Sequence, residues 1–213
     1  MSSVYLEVGQ RRVFACALDW PGWCRSGKSE AEALQTLTAY LPRYAPIVAA
    51  AGLSVDDQQL EVVERLPGSA TTDFGVPGAI PESDYREFEA DEAKRLTELL
   101  QAIWSAFDRI TAASPAELRK GPRGGGRDRD AIIRHVLNAE SAYMSARMGL
   151  RLGEPALGDI AAIAAQRAAV VEYVRAAAGQ PQRADKRWPA RYMVRRMAWH
   201  VLDHAWEVED RRV

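Results

Sequence analysis

The sequence has few of the residue types on which most protein chemistry depends: among 213 residues there are two cysteines, Cys16 and Cys24, and three histidines, His135, His200 and His204. Two cysteines cannot make a disulfide framework, and their scarcity agrees with a reducing compartment. No stretch reaches the roughly 18 uncharged apolar residues that a membrane helix needs. The opening residues, Met1 to Val8, lack a basic region followed by a long apolar run. A cytoplasmic location without a membrane partner is the expectation. Neither sign of charge dominates, with 28 Lys and Arg against 29 Asp and Glu, so there is no general attraction to nucleic acid or anionic lipid. What remains, 47% hydrophobic and 27% charged, is the balance of a globular chain long enough to bury a real core.

Residue patterning divides the chain. Val4, Leu6 and Val8 alternate with outward residues, Gln10 to Arg12 makes a turn, and Val13 to Leu18 reads as a second strand, so a hairpin is the economical pairing. Ser29 and Glu32 form a capping box that starts a helix carrying Leu34, Leu37 and Leu41, which Pro42 and Pro46 kink or interrupt. Leu60 to Val63 suggests a further strand. Residues 66–91 shift to Pro, Gly, Ser, Thr and acidic types, with Pro67-Gly68, Pro77-Gly78 and Pro81 breaking regular structure, and read as a linker whose Phe74, Val76 and Ile80 lie against a neighbouring part of the chain. From Glu92 the pattern is helical: one helix to about Ser114-Pro115, a second from about Asp128 to Leu150, a third from Ile160 to Ala178 and a fourth from about Pro189 to Glu209. The expected fold is α+β, a small α/β domain over residues 1–65, a linker over 66–91 and a four-helix bundle over 92–213.

His200 and His204 stand four apart on the fourth helix. That spacing puts both imidazoles on one face, about 40° apart around the axis. A pair so placed can grip one metal ion from one side. The remaining histidine, His135, falls on the small-residue side of the second helix, so all three could meet in the bundle core. The competing reading is that they are ordinary, partly buried polar residues. Three imidazoles with an open position suit zinc, although nickel or another divalent ion fits the same donors. Val201 stands where a zincin has its glutamate, so any acid or base must come from elsewhere.

Two resemblances add to this. The run Val13 to Cys24, followed by Ser26 to Leu34, resembles the small domain of HicB-type antitoxins, in which a strand, a Pro-Gly turn and a capped helix follow in this order; a protein partner is what that resemblance implies. His135 to Glu140 together with Trp199 to Arg211 is similar to the DinB/YfiT-like family of metalloenzymes. This resemblance implies a four-helix bundle with His135, His200 and His204 as metal ligands, a small-molecule substrate, and thiol transfer with a low-molecular-weight thiol or hydrolysis as the reaction. It also makes a homodimer the expected assembly.

Other residues receive secondary expectations. Glu207, one turn beyond His204, is the best helical candidate for supporting a ligand or acting as base, and Arg196 is on the histidine side of the same helix, so that these two are the candidate catalytic residues. Asp203 at the edge of that face reads as an ion-pair partner. Arg167 interrupts the third helix's apolar stripe and either contacts an anionic group or pairs with a carboxylate. Arg119, Lys120, Arg123, Arg127 and Arg129 read as a solvated loop, since neither a P-loop ending nor interleaved aromatics accompany them. Cys24 has no activating base nearby in sequence. Trp199 and Trp206 are expected to pack on a neighbouring helix or a second subunit.

Overall fold

A computed structural model describes residues 1–55, 59–121, 124–183 and 187–212. It is a mixed α+β structure: a four-stranded sheet formed by the N-terminal third, followed by mostly helical chain. Strands β1 (Ser2–Val8) and β2 (Val13–Ala17) form the expected hairpin, with Val4 opposite Ala17 and Val8 opposite Val13. β3 (Cys24–Gly27) pairs antiparallel with β2, and β4 (Leu60–Pro67) runs parallel to β1 on its other side, giving the order β3-β2-β1-β4. Between β3 and β4 lie α1 (Glu30–Ala39), capped by the Ser29 hydroxyl, and α2 (Leu41–Ala50). Pro42 sits in the first turn of α2, where its missing N–H costs nothing, and so the chain re-enters a helix at once.

Residues 66–91 contain more order than their breakers suggest. A short helix α3 (Ala70–Phe74) and a 3-10 turn (Glu82–Tyr85) punctuate the segment. The buried Glu7 carboxylate of β1 ties it down, accepting from the Thr72 hydroxyl and from the backbone N–H groups of Gly78 and Ala79 at 2.8 to 3.0 Å. Of the three apolar residues expected to pack, Phe74 does not: it is 87% exposed. Farther along, Phe88 is fully buried and belongs to the main core.

The long helices are α4 (Ala90–Ala112), α5 (Arg129–Tyr143), α6 (Ile160–Ala176) and α7 (Ala190–Arg211). α4 packs on α7 and α6, and α5 packs on α7, an arrangement compatible with a bundle. α5 stops short of the expected Leu150: at Met144 it widens into a π-turn (Met144–Met148) that ends at Gly149, whose positive φ of 72° suits a residue without a side chain.

α7 is buried on nearly every side from Ala190 to Ala205. The reason is that it touches both halves of the chain. Met193, Met197, Val201 and Val208 enter the same apolar cluster as Val4 and Leu6 of β1 and Leu99, Ile103 and Phe107 of α4. On another side Trp199 meets Phe14 of β2 edge-on at 6.2 Å. Trp206 packs on Tyr40, at the junction of α1 and α2, at 5.0 Å. Both tryptophans therefore cover the N-terminal third of their own chain: of the expected neighbouring helix or second subunit, Trp206 meets the α1–α2 junction and Trp199 meets a strand. Close approach is allowed by Gly22, whose φ is +89° and where an added Cβ would come within 2.6 Å of Leu202. Polar ties reinforce the contact. Arg25 pairs with Asp203 at 3.0 Å, the role expected of that aspartate, and Arg43 pairs with Glu209 at 2.5 Å. Arg195 meets the fully buried Asp84 of the 3-10 turn, and Arg191 holds Glu92 with the backbone carbonyls of Arg86 and Glu87. Among the described residues no helix is long and apolar enough to cross a membrane.

Candidate metal centre

α5 and α7 cross so that His135 faces His200 and His204. The ring centroids are 5.0 Å apart for His135 and His200, 4.8 Å for His135 and His204, and 4.7 Å for His200 and His204. One nitrogen from each ring can be chosen such that all three lie within 4.8 Å of one another. The closest pair, Nε2 of His135 and Nε2 of His200, is separated by 3.2 Å. Two nitrogens bound to one zinc at about 2.0–2.1 Å in tetrahedral geometry are about that far apart.

Burial keeps two of these rings, His200 and His135, from taking up a second proton. His200 is 7% exposed, and desolvation first, then the repulsion a second proton would meet from the neighbouring histidines and from Arg196 and Arg127, holds it far below the usual histidine range. His135 is lowered in the same direction, chiefly by desolvation and then by His204. Neutral imidazole is the form that binds a metal. His200 Nδ1 is buried and has no hydrogen-bond partner among the described residues.

His204 is the oriented ring. Its Nδ1 is 2.8 Å from Glu207 Oε2, and Arg211 donates to the other carboxylate oxygen at 2.5 Å. Those contacts hold Glu207 ionised, below the usual carboxylate range, with the His204 hydrogen bond as the largest cause. A charged acceptor at Nδ1 fixes the proton there and leaves Nε2 free as a ligand atom. Glu207 is therefore placed behind a ligand rather than in front of it. Its partner Arg211 follows four residues later, a spacing readable in the sequence.

Arg196, whose charge reaches His200, is bonded elsewhere. Its guanidinium lies 4.8 Å from Trp199 and 5.6 Å from Tyr143, and it donates to the Pro77 carbonyl at 2.7 Å. Tyr143 is a residue that sequence reasoning did not single out; its ring lies edge-on to His200 at 6.2 Å. Arg127 belongs to the loop that the sequence reads as solvated. It is exposed, yet its charge reaches both His135 and His200. Arg123 of the same loop falls outside the described residues. Lys120 and Arg129 bond within their own segment, to Asp128 and Ser114, whereas Arg119 reaches α7, donating to the Asp210 carbonyl and accepting at its own carbonyl from Arg211 Nε. Arg167 takes the carboxylate of Asp108 in a two-pronged pair at 2.6 and 2.9 Å.

Behind the centre, five residues beyond His135, Glu140 is buried between α4, α5 and α6. Trp104 donates to it at 2.6 Å, and Gln166, bonded to Ser141, approaches at 3.5 Å. Desolvation outweighs those donors and the charge of Arg167, so its carboxyl is pushed up to about 7. Single apolar-stripe reading could not find it, because a lone Glu on a helix is ordinarily solvated.

Three imidazoles, one of them backed by a carboxylate, form a donor set suited to a divalent cation, and the residues present fit one. Compared with known proteins, the chain matches no family model, no curated protein and no solved structure.

Proposed function

We propose that this chain is a metal-dependent enzyme of the DinB/YfiT-like kind, with His135, His200 and His204 holding a divalent cation, zinc by the preference of three imidazoles. The observation that carries the reading is the convergence of the chain's three histidines, from two helices, with ligand nitrogens within 4.8 Å of one another. A bound cation of this type supplies a Lewis acid that makes a coordinated water or thiol nucleophilic near neutral pH. The protein's part is to present and orient the donors. Burial keeps His200 and His135 neutral, and Glu207, itself held by Arg211, locks the His204 proton on Nδ1.

With Glu207 so engaged, we assign it to positioning His204. Arg196 remains the candidate for holding an anionic part of a small substrate, because its bonded partner is a single carbonyl and its faces rest on Trp199 and Tyr143. Thiol transfer with a low-molecular-weight thiol is the favoured reaction and hydrolysis the second. The N-terminal third keeps the HicB-like reading as a proposal, its order of hairpin, Pro-Gly turn and capped helix being the support.

The test is a screen of zinc-loaded protein with several low-molecular-weight thiols and electrophilic acceptors, alongside ester and amide substrates. Turnover that disappears in His200→Ala and falls in Arg196→Ala supports the assignment. Absence of turnover in every combination, from protein carrying one zinc per chain, would leave a metal-stabilised scaffold in its place.

A further inference from the structure

Cys16 and Cys24 stand directly opposite each other in the β2–β3 pair. The neighbouring pair is hydrogen-bonded, Ala17 N–H donating to the Trp23 carbonyl at 3.0 Å. Hydrogen-bonded and non-hydrogen-bonded pairs alternate in an antiparallel ladder, so the two cysteines occupy a non-hydrogen-bonded pair, where Cα atoms approach to about 4.5 Å. That is inside the usual disulfide range of about 4.4–6.8 Å. Residues directly opposite in a ladder send their side chains to the same face, so the two thiols are neighbours. Both are free thiols and both are buried, 3% and 5% exposed.

Their surroundings are not closed packing. Cys16, Cys24, Tyr5, Arg195 and Trp199 line a cavity of about 20 Å³ between the sheet and α7. A volume of about 10–15 Å³ already admits a water molecule. Arg195 is 6% exposed, interacts electrostatically with Cys16, and has a buried Nε without a partner. Cys24 is held as a thiol by burial first and by its neighbour Cys16, against the pull of Arg25. Each sulfur thus has a guanidinium nearby, Arg195 for Cys16 and Arg25 for Cys24, and one can attack while the other resolves.

We propose that Cys16 and Cys24 are an oxidant-modified pair that closes a reversible cross-strand disulfide when a peroxide small enough for this cavity reaches them. The Cys16 sulfur attacks one peroxide oxygen, the O–O bond breaks, and the other oxygen departs as water, leaving a sulfenic acid. The Cys24 sulfur then attacks the Cys16 sulfur, the S–S bond forms, and the hydroxyl leaves with the Cys24 proton as a second water. Two thiols lose two electrons and one hydrogen peroxide becomes two waters. The inference does not depend on the metal centre.

Both cysteines fall in one tryptic fragment, Val13 to Arg25, which makes the test direct. Reduced, folded protein is treated with hydrogen peroxide, denatured, blocked with iodoacetamide and digested. The expected result is a fragment lighter by the two thiol hydrogens and free of label, returning to doubly labelled after reduction. In Cys16→Ser the Cys24 sulfur should lose this protection. Met1, 72% exposed, serves as the internal sign that peroxide acted. A fully labelled fragment in a sample with Met1 oxidised overturns the proposal. So does oxygen addition to either sulfur without the linked form, or a disulfide joining two chains.

Discussion

Nε2 of His135 on α5 and Nε2 of His200 on α7 lie 3.2 Å apart at the point where the two helices cross. At that distance the nitrogens either share one proton as a hydrogen bond or turn two lone pairs toward a common cation. The cation answers a second fact as well. Burial and neighbouring positive charge keep both rings unprotonated.

The Glu207 carboxylate should matter through His204 and not through the fold. Glu207→Ala removes the acceptor at His204 Nδ1 and frees Arg211. Metal affinity, measured by competition with a chromogenic chelator, is expected to fall about 10–100-fold. Glu207→Gln, which keeps an acceptor without the charge, should lose less. Equal affinity in wild type and Glu207→Ala would mean that the His204 ring needs no fixing.

Glu140 gives a pH dependence with a definite sign. Its folded carboxyl is pushed up to about 7 from an ordinary 4.5, so between those values the folded chain holds a proton that the unfolded chain has released. Stability contributed by the neutral acid is therefore full at acid pH and is lost as pH rises from about 4.5 to about 7, at most ~3 kcal/mol. In urea titrations of metal-free protein across this window, Glu140→Gln should flatten the decline. A variant as pH-sensitive as wild type would place the titration elsewhere.

How much of this was legible follows from which signals are local. The β1–β2 hairpin, the Ser29 cap and the four long helices each carry their own alternation, capping residue or stripe, and the chain displays them. β3 does not: Cys24-Arg25-Ser26-Gly27 has no strand pattern and exists by pairing with β2. The tie of Glu7 to Gly78 and Ala79, 71 and 72 residues away, is equally nonlocal, so the breakers of residues 66–91 and a packed position for part of the segment were readable but the carboxylate that anchors it was not. At the centre, the i, i+4 histidines and the i+3 glutamate could be read from spacing. Arg127, Tyr143 and Glu140 reach the centre or lie behind it through tertiary packing, and nothing in their sequence neighbourhood distinguishes them.

The Arg195–Asp84 pair should be a strong tie between α7 and the segment preceding α4. Asp84 is fully buried and burial raises its pKa against the pull of Arg195. Arg195→Met leaves that carboxylate without its partner, at a cost of about 3–5 kcal/mol, and the double change with Asp84→Asn should recover much of it. Urea denaturation of the three proteins gives the comparison. Additive losses in the double variant would show that the two side chains do not depend on each other.

The central claim is one cation on three histidines, and cobalt titration of metal-free protein tests it most directly. The account predicts one cobalt per chain, with visible absorption of a four- or five-coordinate ion, displaced by zinc and absent in His135→Ala, His200→Ala and His204→Ala while their helical content is kept. Wild-type protein that takes up no cobalt or zinc, or a His135→Ala protein that binds as wild type does, would contradict it.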